Sequence, residues 1–254
     1  MTSDPPPPRP PAKRTVQAVI FDLDGVLIDS ERAWDEARRQ LVLEHGGRWS
    51  DDAQRAMMGM SSTEWSRYMR DRLQVPLAPE RISAEVVARL ERRYRQRLPL
   101  LPGAREAVAR LARCWPLALA SSANRPIIDL VLRLAGLERD FALTVSSEEV
   151  ARGKPAPDVY LEAARRLGLA PANCVAIEDS SNGIRSAAAA ALAVIAIPNR
   201  DFPPDPQALA LAAVVLPSLA QLTPERVRQA AERIKPPGEP IEPRAERNRS
   251  EITQ

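Results

Sequence analysis

"VQAVIFDLDGVLIDS", residues 16–30, sets an apolar run directly against two aspartates two positions apart, with a third at Asp29. The run "VQAVIF" (16–21) has the length and branched-residue content of a buried strand that ends at Asp22. A carboxylate at the lip of an apolar core is costly unless something pairs with it. Asp22 and Asp24 therefore call for a cation or a ligand, and the partners must come from elsewhere in the chain.

Outward from this stretch, residues 31–98 read as mostly helical. Ala33, Trp34, Ala37 and Leu41 fall at helical spacing, and Ile82, Val86, Leu90 and Tyr94 recur every four residues. Between them, "MMGMSSTEWSRYM" carries a glycine and small polar residues at a turn. His45 in "LEHGG" suits a helix C-terminus followed by a terminating glycine.

From about residue 103 strands and helices alternate. The predicted strands are "LALA" (117–120), "ALTV" (142–145), "CVAI" (174–177), "AVIAI" (193–197) and a weak "AVVL" (213–216). The intervening helices cover 103–112, a segment from Pro126 to Gly136, another from Pro157 to Gly168, Asn182–Ala191 and 224–233. In "EDSSNG", Ser181 or Asn182 would serve as the N-cap of the fourth of these.

Alternating strands and helices imply a parallel sheet covered on both faces, and such sheets bind ligands beyond the carboxyl ends of their strands. Each strand delivers polar groups there. Asp22 and Asp24 follow the first. Ser121, Ser122 and Asn124 follow the second. Lys154 in "RGKPAPD" follows the third, and Glu178-Asp179-Ser180-Ser181 the fourth.

Carboxylates gathered at one edge repel unless a cation joins them, and aspartate oxygens suit Mg2+. Asp22 and Asp179 are the natural ligands, with Glu178 adding an oxygen directly or through water. Asp22 also suits attack on phosphorus, and Asp24 proton transfer to the leaving oxygen and from water. Ser121 suits holding phosphoryl oxygens, and Lys154 neutralising their charge.

Composition narrows the class. The chain has 254 residues, is 44% hydrophobic and 27% charged, and gathers many of its 25 prolines at the ends. "MTSDPPPPRPPAKR" (1–14) and "KPPGEPIEPRAERNRSEITQ" (235–254) read as disordered Pro-rich tails, the first without the apolar core of a signal peptide. A net charge of +3, with Arg and Glu interleaved, gives no basis for a nucleic-acid partner. The longest apolar run (187–197) is too short to span a bilayer, so no membrane partner is expected. Cys114 and Cys174 form no disulfide framework or metal motif, which points to a cytoplasmic setting.

The quoted segments together resemble the haloacid dehalogenase (HAD) superfamily, and within it the β-phosphoglucomutase-like phosphatases with a helical cap. "DLDGVLIDS" resembles the first motif of that group, "LALASSAN" the second, "GKPAPDVY" the third and "VAIEDSSNGIRSA" the fourth, the likeness spanning roughly 16–220. The resemblance implies a Rossmann-like parallel sheet core with an inserted α-helical cap domain. Residues 15–30 and 99–234 would form the catalytic core and 31–98 the cap.

The resemblance makes Asp22 the nucleophile and a Mg2+ ligand. Asp24 is the acid/base and lends the metal its backbone carbonyl. Ser121, Ser122 and Lys154 bind the phosphoryl group, and Asp179 completes the metal site with Glu178 beside it. Dehalogenases and phosphonate-cleaving relatives lack the aspartate that Asp24 supplies. The mutases carry a histidine where this chain has Trp34 and an arginine where it has Ser62. The expected activity is hydrolysis of a small phosphorylated metabolite through an aspartyl-phosphate, with a sugar-phosphate mutase as the alternative and a non-enzymatic binding module as the remote one. Trp34, Met60, Ser61, Ser62, Trp65 and Arg125 are the candidate substrate residues, and the chain is expected to be a monomer or weak homodimer.

Overall fold

The computed structural model describes residues 15–50 and 52–233, so the two Pro-rich tails lie outside the described residues. The first strand, β1 (Ala18–Phe21), is buried along its whole length. Four helices follow it: α1 (Glu31–Glu44), α2 (Ala53–Met57), α3 (Ser62–Asp71) and α4 (Pro79–Gln96). The alternating part then runs α5 (Ala104–Ala112), β2 (Leu117–Ser121), α6 (Arg125–Ala135), β3 (Phe141–Ser146), α7 (Asp158–Leu167) and β4 (Cys174–Glu178). It closes with α8 (Ser181–Ala189), β5 (Ala193–Ala196), the short α9 (Pro206–Leu209), β6 (Val214–Val215) and α10 (Pro224–Arg233).

The six strands form one sheet in the order β3-β2-β1-β4-β5-β6, and every pairing is parallel. Its strands are apolar almost throughout because helices cover both faces. In β1, Val19 and Phe21 join one apolar cluster while Ala18 and Ile20 join the other, as the two-residue side-chain period requires. β4 divides in the same way, Val175 and Ile177 against Cys174 and Ala176. The chain leaves β1 towards β2 on one side and returns as β4 on the other, so the strand order reverses beside β1. That is where a doubly wound sheet opens its crevice.

The expected periodicities hold in the helices. Ala33, Trp34, Ala37 and Leu41 of α1 are buried, as are Ile82, Val86, Leu90 and Tyr94 of α4. α4 packs against α1, α3 and α6. One apolar cluster runs without a break from Phe21 of the sheet through Trp34 and Trp65 to Leu90 of α4. α1 ends at Glu44 with His45 as its C-cap, and the imidazole lies 3.5 Å from Glu85. Element bounds shift by a residue or two from the expectation, and two of the shifts have a clear cause. The N-cap of α8 is Ser180, one residue before Ser181, because its hydroxyl reaches the Gly183 N–H at 3.1 Å. β1 begins at Ala18, since Val16 and Gln17 lie before the paired segment.

Candidate active site

Asp22 follows β1, and its backbone N–H extends the ladder to Ile177 O at 3.0 Å. The residue is 6% exposed. Lys154 Nζ donates to Asp22 Oδ1 at 2.8 Å, to Glu178 Oε1 at 2.7 Å and to Ala120 O at 3.1 Å. All three ammonium donors are thereby used, and groups after β1 and β3 and in the last residues of β2 and β4 meet at one point. Burial alone would lower the Lys154 pKa, but the charges of Asp22 and Glu178 outweigh it and hold the ammonium protonated.

Glu178 is fully buried and already committed. Oε1 also accepts from the Tyr160 hydroxyl at 2.6 Å, and Oε2 accepts from the Asp179 N–H at 3.1 Å. Through Oε1 it holds Lys154 in place. Tyr160 was not singled out from the sequence, although it closes the "GKPAPDVY" segment; its ring lies under the Lys154 ammonium at 5.1 Å.

One oxygen from each of Asp22, Glu178 and Asp179 lies within 4.8 Å of the others. Asp179 Oδ2 is buried without a hydrogen-bond partner among the described residues. Burial, compounded by Glu178 and Asp22, raises the Asp179 pKa well above the carboxylate range, and burial raises that of Asp22 against the pull of Lys154. A divalent cation held by oxygens fits this cluster: it would partner the orphaned oxygen and offset the desolvation that lifts both groups. The room is kept by Gly25, at φ +75°, where a Cβ would stand 1.9 Å from Asp179 Oδ2.

Asp24 is bound differently. Its Oδ1 accepts from the Ser30 hydroxyl at 2.5 Å and the Trp34 indole N–H at 2.9 Å. Its carboxylate is not part of the three-residue cluster. Ser121 is fully buried; its hydroxyl accepts from the Ala123 N–H at 3.0 Å and approaches Asp24 Oδ2 at 3.4 Å. Ser122 lines the cavity and donates to Gly59 O at 2.8 Å.

The cavity over this edge is about 40 Å3. Asp22, Asp24, Ser122, Lys154 and Asp179 form its floor. Trp34, Met60 and Trp65, with Glu31 and Arg38, form the helical wall. Ser61, Ser62 and Arg125 are not brought to it. Ser61 is the N-cap of α3 in a capping box with Glu64. Ser62 donates to Glu148 Oε1 at 2.7 Å, and Arg125 turns to Glu149 and Thr144. Their hydrogen-bonding groups are spent on structure.

Carboxylates and a lysine thus converge at the switch point of a doubly wound parallel sheet, where such sheets bind their ligands. The model of the haloacid dehalogenase-like hydrolase family matches residues 16–191, and the chain belongs to that family. Hexitol phosphatase B of Escherichia coli (strain K12) is 37% identical over 216 residues, covering 83% of this chain and 96% of that protein. A probable pseudouridine-5'-phosphatase of Drosophila melanogaster is 30% identical over 220 residues, covering 84% and 94%. The crystal structure of a β-phosphoglucomutase from Clostridium difficile superposes with a TM-score of 0.74 over 85% of this chain and 97% of that one; at 24% identity it speaks for the fold alone.

Proposed function

We propose that this chain is a Mg2+-dependent phosphatase that hydrolyses a small phosphomonoester through an aspartyl-phosphate. The observation that carries this is the pairing of Asp22 with Lys154 beside a buried Asp179 oxygen that has no protein partner among the described residues. The names of the relatives support the same class, since the hexitol and pseudouridine enzymes are both phosphatases.

In this mechanism Asp22 Oδ attacks phosphorus and the P–O bond to the alcohol breaks. Asp24 gives its proton to the departing oxygen, then takes one from the water that cleaves the acyl phosphate. Lys154 balances charge on Asp22 and on the phosphoryl oxygens. Ser121 supports the loop through Ala123, and Ser122 faces the phosphoryl group. Asp22, Asp179 and the Asp24 carbonyl would hold Mg2+, with Glu178 anchoring Lys154 beside them; the ion supplies charge neutralisation and electrophilic activation of the phosphate. Residues 31–98 act as the cap that encloses the alcohol portion, and 15–30 with 99–234 act as the core.

We also place the enzyme in the cytoplasm, where the unpaired thiols of Cys114 and Cys174 are at home. Among the described residues no helix is long and apolar enough to cross a membrane. The test is phosphate release from a panel of phosphorylated metabolites with Mg2+, with EDTA, and with Mg2+ restored. Release should stop with EDTA and return with Mg2+. Hydrolysis that survives complete chelation overturns the mechanism.

A further inference from the structure

Tyr160 is the third residue of α7 and is fully buried. Its ring belongs to the apolar cluster on one face of the sheet, with Ala118, Ala120 and Ile184. Packing accounts for an aromatic ring there, and phenylalanine would serve it equally. The hydroxyl is what packing leaves unexplained, because a buried O–H is costly unless it finds a partner.

Its partner is Glu178 Oε1, at 2.6 Å. The same oxygen accepts from Lys154 Nζ at 2.7 Å, and the same ammonium donates to Asp22 Oδ1 at 2.8 Å. A chain of hydrogen bonds thus runs from the Tyr160 O–H through Glu178 and Lys154 to Asp22. Burial, together with the Glu178 charge, raises the Tyr160 pKa above that of free tyrosine, so the hydroxyl is a donor. The ring centroid lies 5.1 Å from Nζ, within cation–π range. The arrangement is local in the chain: "KPAPDVY" leads from Lys154 into α7, and six residues on the ring returns to the ammonium.

One lysine stands between two carboxylates, and their attractions oppose one another. Without the tyrosine hydroxyl, Lys154 would be the sole partner of Glu178 Oε1 among the described residues. Glu178 would then draw the ammonium away from Asp22. A second donor on Oε1 meets part of that charge, and the ring closes one side of the ammonium. Both contacts keep Nζ where it touches the nucleophile.

We propose that Tyr160 is a positioning residue for phosphoryl transfer, holding the Glu178–Lys154 pair so that the ammonium stays on Asp22 and the phosphoryl oxygens. This rests on the phosphatase function proposed above and adds to it a residue outside the lining of the cavity.

The test is a double-mutant cycle on kcat and KM for p-nitrophenyl phosphate with saturating Mg2+. Wild type, Tyr160→Phe, Lys154→Arg and the double variant are compared, with single-turnover rates where steady-state rates are low. Circular dichroism and urea midpoints check folding. Tyr160→Phe keeps the ring and removes the donor. It should lower kcat about 10- to 100-fold and change KM by less than about threefold, because the phosphoryl group is still bound while the counter-charge of the nucleophile has moved. Lys154→Arg keeps a cation and removes the ammonium that Tyr160 places. In that background Tyr160→Phe should cost about twofold or less in kcat. Equal losses in both backgrounds indicate a structural role and overturn the proposal, as does a near-normal kcat in Tyr160→Phe. A Tyr160→Phe protein that does not fold assigns the hydroxyl to stability and overturns it too. No phosphate release by wild type from this ester or any phosphorylated metabolite is a separate result: it overturns the phosphatase function and the positioning role with it.

Discussion

Asp22 and Asp24 are separated by Leu23 and share no hydrogen-bond partner among the described residues. Asp22 is ion-paired with Lys154, whereas Asp24 is held by the neutral donors Ser30 and Trp34. The ion pair with Lys154 fixes the Asp22 carboxylate and offsets part of the cost of its burial, whereas Ser30 and Trp34 fix the orientation of Asp24. Asp22→Asn should abolish phosphate release while circular dichroism stays unchanged, because the amide keeps the shape and loses the nucleophile. Asp24→Asn should lose about 10²–10⁴-fold in kcat. A near-normal rate in Asp22→Asn would place the nucleophile elsewhere. Glu31 makes a prediction about stability. Its pKa in the fold is raised to about 7 from 4.5, first by burial and then by the Asp24 charge. Between those values the folded state binds the extra proton, so stability falls as pH rises through that window; below it Glu31 contributes no pH dependence. Removing the charge with Glu31→Gln should flatten this slope, favouring the variant by on the order of 3 kcal/mol more at pH 8 than at pH 4. Urea midpoints at the two pH values read this directly, and parallel profiles for the two proteins would show that Glu31 does not titrate there.

At the scale of elements, the site is a consequence of strand ends, and that is why so much of it was legible in the sequence. A strand that is apolar on both faces, stopping at a charged residue, announces both its register and the edge it points to. Asp22, Ser122, Lys154 and Asp179 could be placed on that edge before any contact was known. What escaped was set by packing between helices. Arg38 and Gln54 lie on α1 and α2, and nothing in their local spacing says that Trp34 and Trp65 will close over the guanidinium. Ser61 and Ser62 escaped for another reason: Ser61-x-x-Glu64 is a capping-box pattern, legible as a helix start, whereas the likeness to the mutases drew these serines towards the substrate. The turn after β1 is equally demanding. Gly25 has φ +75°, and a methyl group there would stand 1.9 Å from Asp179 Oδ2. Gly25→Ala must both strain the turn and displace a candidate metal ligand. It should raise the Mg2+ concentration needed for half-maximal activity about tenfold or more and lower stability by about 1–3 kcal/mol. An unchanged Mg2+ titration would show that Asp179 does not depend on this gap.

Taken whole, the molecule leaves little room over its own site. A cavity of about 40 Å3 holds a few waters and no sugar phosphate. The helices between β1 and α5 are tied to the sheet side by polar bonds: Ser122 to Gly59 O, Asn182 to Met58 O, and Asn124 to Ser83. Such bonds can be exchanged for water when the helices move, so entry of substrate requires them to part and closure then excludes solvent. The same enclosure separates the two outcomes open to an aspartyl-phosphate, transfer to water or to a second sugar hydroxyl. A mutase must retain a bisphosphorylated intermediate while it turns, which takes a free cation for the distal phosphate and a group that readies the hydroxyl. Among the described residues lining the cavity the cations are Lys154 and Arg38. Lys154 is fully engaged, and Arg38 is clamped by Gln54 with Glu31 beside it. Trp34 offers an N–H donor in place of a base, and Ser62 faces Glu148. Water should therefore win. Given β-glucose 1-phosphate with a trace of the bisphosphate, the enzyme should release inorganic phosphate faster than it forms glucose 6-phosphate. Isomerisation that outpaces phosphate release would mean that Arg38 leaves Gln54 to take the distal phosphate, and would make the chain a mutase.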